Sequence, residues 1–203
     1  TPILSMADLE AHNEGLIILT GGIYGAIGKA LLYNRDVKAE ELLNQFKASF
    51  SGRLYIELMR HGLQAEVAIE ERLIELAYKH NLPLVATNDA FFIKESMFEA
   101  HDAFLCIAEG TYVGEDKRRR LTPEHRLKTA QEMQELFADI PEALANTVAI
   151  AKRCAYMPVS RAPILPSFTR EGMSEAELLQ QMAREGLEER LRKHTPCCDI
   201  AIY

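Results

Sequence analysis

Three short apolar runs, each ending in a polar or glycine-rich tip, constrain this chain more than any other feature. They are Leu16 to Thr20 (LIILT), Arg53 to Leu58 (RLYIEL) and Leu84 to Thr87 (LVAT). Between them the apolar period becomes helical. Leu42, Leu43, Phe46 and Phe50 form one stripe, and Ile69, Leu73, Leu76 and Ala77 form another. Strand, helix, strand, helix, strand predicts parallel βα units wound right-handedly, and hence an α/β fold. The first run is continuous enough for a strand buried on both faces. The second alternates, with Leu54, Ile56 and Leu58 on one face and Tyr55 and Glu57 on the other. In such sheets and barrels, functional groups gather beyond the carboxyl ends of the strands. The tips to watch are Thr20-Gly21-Gly22, Glu57 to His61, and Thr87-Asn88-Asp89-Ala90-Phe91.

Local signals punctuate the rest. Ser5 with Asp8 opens a short helix that Gly15 stops. Asp36 is expected to cap the helix carrying the first stripe, which ends at Ser51-Gly52. Asn81 suits a left-handed stop after the helix Glu66 to His80, and Pro83 prevents its continuation. Past Phe92 a helix is expected over Glu95 to Ala108, then a loop from Gly110 to Leu121. Capping boxes are read at Thr129/Glu132, at Asp139/Glu142 with Pro141 in the first turn, and at Ser174/Glu177. Pro158, Pro163 and Pro166 space out an extended linker. Behind it Leu179, Ala183, Leu187 and Leu191 stripe a last helix.

Composition excludes several classes. Of 203 residues 48% are hydrophobic, enough for a core, yet no run approaches the ~20 apolar residues of a membrane span. No signal peptide opens the chain, and no Met does either; it reads as a piece of something longer, cytoplasmic and without a membrane partner. A net charge of -7 argues against general affinity for nucleic-acid backbone through this surface. Cys106, Cys154, Cys197 and Cys198 have no paired metal-ligand spacing and read as reduced thiols.

The chemistry-bearing residues are few. Gly21, Gly22, Gly25 and Gly28 fit neither the dinucleotide fingerprint nor the Walker A loop, so a tight strand-to-helix turn is favoured over phosphate binding. The run Lys117-Arg118-Arg119-Arg120 follows Glu115-Asp116 and reads as a solvated, ion-paired loop, with a phosphate or partner contact as the alternative. His12, His61, His80, His101, His125 and His194 show no close pairing in sequence. Asp89 is the one acid at a strand tip with polar neighbours. By itself it is a cap or turn residue before it is a ligand.

The segments LIILTGG, RLYIELMRHG, NLPLVATNDAFF, EAHDAFLCIAEG, LTPEHRLKTAQEMQELF and DIPEALANTVAIAKRC occur in that order. Together they resemble the PHP (polymerase and histidinol phosphatase) domain of the bacterial replicative DNA polymerase III alpha-subunit family, over roughly Gly15 to Cys154. LPSFTREGMSEAELLQQMAREGLEERL resembles the start of the polymerase module that follows in that family. The resemblance implies the last βα units of a distorted PHP-type (βα)7 barrel over residues 1–157. A linker and the start of the polymerase (palm/thumb) module would occupy residues 158–203. The barrel's earlier strands, with their His-x-His ligands, are expected upstream of Thr1.

Metal-binding members carry a Cys after the Ser/Thr-Gly at the strand end, where Gly22 stands here. They carry Asn-Asp-x-His where this chain has Asn88-Asp89-Ala90-Phe91. Asp89 is retained, but Gly and Phe offer no lone pair to a cation. The resemblance therefore implies a vestigial metal site around Asp89, with Phe91 filling the space of an ion. No catalytic, cofactor-binding or metal residue is expected in this segment. The parent would be a DNA-directed DNA polymerase using Mg²⁺ at palm carboxylates downstream of Tyr203. Its partners would be DNA, dNTPs, a proofreading exonuclease subunit and other replisome subunits. The rival implication is an active metal-dependent phosphoesterase or 3'-5' exonuclease. The tail TPCCDIAIY departs from the sequence expected at that point.

Overall fold

A computed structural model describes residues 4–194, apart from 163, 165, 169 and 171, together with 196 and 199. By its contacts the chain divides into two compact units, Thr1–Ala155 and Tyr156–Tyr203.

In the first unit, β1 (Ile18–Leu19), β2 (Leu54–Leu58) and β3 (Leu84–Ala86) form a parallel sheet in the order β1-β2-β3. Ile18 lies opposite Leu54, and Ile56 opposite Leu84. The intervening helices are α2 (Ala26–Leu32), α3 (Asp36–Ser49) and α4 (Gln64–His80), with α1 (Met6–Ala11) preceding them. Leu54, Ile56, Leu58, Leu84 and Ala86 point into one apolar core with Ile27, Leu31, Leu43, Ile69, Leu73 and Phe137. That is the leucine face expected of β2. Tyr55 and Glu57, on its other face, are also buried but lie outside that cluster.

The first strand differs from expectation. Its regular part is two residues long and half-buried rather than covered on both faces. Among the described residues it pairs on one side only, with β2. The edge at β3 is closed. Asn146 and Thr147 of α7 (Pro141–Arg153) donate side-chain hydrogen bonds to the carbonyls of Leu84 and Ala86, at 2.8 Å each.

The glycine turn after β1 is tight for a steric reason. A Cβ on Gly25 would lie 1.7 Å from the Thr20 carbonyl oxygen, and one on Gly28 would lie 1.9 Å from that of Gly22. Asn81 ends α4 at φ 51° and ψ 49°, as its sequence position suggests. Ser5 and Thr129 cap α1 and α6 (Ala130–Leu136) with complete capping boxes.

Two expected caps are otherwise engaged. Asp36 is the first helical residue of α3, capped by nothing, and its carboxylate pairs with Arg72. Ile140, not Asp139, precedes α7, and the Asp139 carboxylate is held by Arg60 at 2.7 and 2.8 Å. In both, a guanidinium from a distant element outcompetes the local cap, since charge-assisted hydrogen bonds are the stronger kind. The stretch after Phe92 forms a 3-10 turn at Glu95–Met97 before α5 (Phe98–Glu109).

In the second unit α8 (Glu175–Lys193) starts from a complete Ser174/Glu177 box. Its buried residue is Leu178, while Leu179 is exposed, one position off the expected stripe. The adjacent cysteines 197 and 198 lie outside the described residues; Cys106 is buried and Cys154 exposed, both as free thiols.

Candidate functional site

The carboxyl ends of the three strands meet at Glu57. Its carboxylate accepts from the Gly21 N–H at 2.9 Å and from the Thr87 hydroxyl at 2.7 Å. The Glu57 N–H in turn donates to the Thr20 hydroxyl at 2.9 Å. One buried acid thus ties the tips of β1, β2 and β3 together. Alternation along β2 had put Glu57 on the non-leucine face; that its side chain reaches both neighbouring strands is a tertiary fact.

Beyond β2 the chain turns at His61, which is 1% exposed. The Asp89 N–H donates to His61 Nε2 at 3.1 Å, so that nitrogen carries no proton and Nδ1–H donates to Glu66 Oε1 at 2.7 Å. Burial pushes the Glu66 carboxyl up, but hydrogen bonds from the His61 ring and backbone outweigh it and hold the group below its ordinary range. The His61 ring stacks on that of His125, with centroids 4.1 Å apart and planes 15° from parallel. The Thr122 N–H donates to His125 Nδ1, which places the His125 proton on Nε2, a buried atom with no partner among the described residues. Burial, reinforced by His61, pushes the His125 imidazole down. These two histidines are 64 positions apart, and no sequence signal joins them.

The third tip is stitched to the same segment. Phe91 N–H donates to the His125 carbonyl and Leu127 N–H to that of Phe92, while Asn88 Nδ2 donates to the Arg126 carbonyl. The Asp89 carboxylate is half-buried and has no hydrogen bond or ion pair among the described residues. Phe91 is 39% exposed, tilted against the rings of His101 and His125, with the Arg119 guanidinium 5.6 Å above it. Gly22, at φ 48°, faces Met59, and a Cβ there would sit 3.5 Å from its sulfur. Burial pushes the Tyr24 phenol up; Arg119 opposes this, and Glu66 and Asp89 add to it, so these charges share one neighbourhood.

The basic run divides between roles. Arg118 is spent on Asp102 of α5 in a two-pronged pair at 2.6 Å per contact, Arg119 lies over Phe91, and Arg120 reaches the Val113 carbonyl. Among the described residues, no three His, Cys, Asp or Glu side chains converge as a metal cage would require. No described helix is long and apolar enough to cross a membrane.

A parallel α/β unit with its polar groups at the strand tips is the architecture expected of the family read from the motifs. The family model described as PHP domain matches residues 1–61. Nearly the whole chain is similar to one segment of DNA polymerase III subunit alpha. Identity is 49% over 191 residues for that of Caulobacter vibrioides, covering 94% of this chain and 17% of the relative. It is 42% over 188 residues for Rickettsia bellii, covering 93% and 16%, and 42% over 191 for Escherichia coli strain K12, covering 94% and 16%. The resemblance read from the ordered motifs therefore holds, and the chain spans about one sixth of the length of these relatives.

Proposed function

We propose that this chain is part of the catalytic alpha subunit of a replicative DNA polymerase. Its role there is to brace the polymerase body as a PHP region that has lost its metal. The observation that carries the first half is similarity of 42–49% across more than nine tenths of the chain to subunits of that name. In this reading β1, β2 and β3 are the last strands of a distorted (βα)7 barrel. Residues 1–157 complete the PHP region and residues 158–203 enter the polymerase module. Template-directed synthesis would belong to the parent, with Mg²⁺ at carboxylates outside this chain clamping the attacking and leaving oxygens. DNA, dNTPs, a proofreading subunit and other replisome subunits would be the partners, and the compartment the cytoplasm.

The chemistry of the donor set supports the second half. Gly22 and Phe91 stand at two ligand positions of metal-binding members and offer no lone pair. The neighbouring Glu57, His61 and Glu66 are committed to Gly21, Thr87 and each other. Of the acids at these tips only Asp89 is left unengaged; His125 Nε2 carries its proton, and His101 Nδ1 is the one other buried nitrogen beside Phe91 without a partner among the described residues. A multinuclear hydrolytic centre needs several converging ligands, so the residues present do not fit one, and no hydrolytic step is routed through them. Primer extension by the full-length parent tests the polymerase reading; absence of template-dependent synthesis ends it. Metal analysis of the same protein tests the rest: a stoichiometric cluster lost in Asp89→Ala would replace the bracing role with the phosphoesterase or exonuclease alternative.

A further inference from the structure

A groove of about 740 Å³ starts at the exit of β2, where Met59, Arg60 and Gly62 line it, and runs between the outer face of α4 and the end of α6. Val67, Ile74 and Tyr78 line it from α4 and Leu136 from α6. From Val67 to Tyr78 the face is three turns long, about 16 Å at 1.5 Å per residue. Val67 is 74% exposed and Tyr78 63% exposed, unusual for large side chains that line up along one helix face.

The rim is acidic, and its own cations are already used. Arg60 is shared between Glu70 and Asp139, and Lys128 answers Glu124. On the same helix Arg72 turns to Asp36 and Lys79 to Glu40. Glu71 and Glu75, one turn apart on the groove wall, have no cationic partner among the described residues. Like charges at that spacing work against the helix that carries them. An apolar floor with two uncompensated carboxylates beside it is complementary to a helix with an apolar stripe flanked by positive charge.

We propose that this groove docks an amphipathic helix of a separate polypeptide. The occupant is about three turns long, buries apolar side chains at i, i+3/i+4 and i+7 against Val67, Ile74 and Leu136, and sets Lys or Arg against Glu71 and Glu75. The proposal stands on the groove and does not require polymerase activity, which primer extension reports separately.

The test uses the full-length protein that carries this chain. The probe is a fluorescent 14-residue helical peptide with Leu at the stripe positions and Lys or Arg elsewhere; its control has Glu in place of every Lys and Arg. Two variants, Glu71→Lys/Glu75→Lys and Val67→Asp, alter exposed positions, and circular dichroism checks that each remains folded. The expected result is binding of the basic peptide only, weakened by added salt, with Kd raised about tenfold or more by either variant. Four results overturn the proposal: no binding of the basic peptide, equal binding of the acidic one, insensitivity to the charge reversal, or insensitivity to Val67→Asp. The last would mean attraction to acidic surface without use of the groove.

Discussion

Glu57→Gln isolates the clamp at the strand tips. The carboxylate accepts two hydrogen bonds, from Gly21 N–H and the Thr87 hydroxyl. Glutamine has the same shape, and its oxygen and NH₂ can still meet the Gly21 N–H and the Thr87 hydroxyl, which accepts as well as donates, so what the variant removes is the charge on both bonds. Hydrogen bonds to a charged group are each worth about 1.5–3 kcal/mol. Against this, an amide is cheaper to bury than a carboxylate, and Glu57 is 7% exposed. The net expectation is a loss of about 2 kcal/mol, which for a chain of this size lowers Tm by about 4–8 °C. Thermal unfolding followed by circular dichroism reads the shift. Thr87→Val, which removes one donor, should cost less. The double variant should be less destabilised than the sum, because the two groups share one bond. A Tm within about 1 °C of the parent chain for Glu57→Gln, or strict additivity with Thr87→Val, would refute the idea that this carboxylate ties the strands.

Four other outcomes follow from the structure. Gly28→Ala places a Cβ 1.9 Å from the Gly22 carbonyl and should cost about 3 kcal/mol or more by urea unfolding. Gly186→Ala in α8, where a Cβ meets nothing, should stabilise its helix by up to about 1 kcal/mol. Stability should fall in two stages on acidification. The unfolded chain protonates its counterpart of His125 near pH 6.5 while the folded imidazole, pushed down, does not, so the unfolded state binds more protons below that pH. Glu66, held below its ordinary value of 4.5, adds a second loss as pH falls from there through its folded value. His125→Asn keeps an acceptor for the Thr122 N–H and should flatten only the first stage of the Tm–pH curve. Asp102→Asn should free Arg118 and speed tryptic cutting within loop 110–121, measured by mass spectrometry of the fragments.

What sequence alone determined was local. Periodicity located three strands and, between them, α3 and α4, but not α2. Ser5, Asn81, Thr129 and Ser174 announced helix ends, and all four hold those roles, because a cap interacts with backbone within three or four residues. The close-packed turn at Gly25 and Gly28 was legible for the same reason. Asp36 and Asp139 misled because Arg72 and Arg60, 36 and 79 positions away, bind them more strongly than the local N–H groups. Only the tertiary structure could set Glu57 between Gly21 and Thr87, lay His61 on His125, and line up Val67, Ile74 and Leu136 along one groove. Each joins elements whose nearness depends on how helices pack across the sheet, and that packing follows from total shape and burial, which no short window of residues encodes.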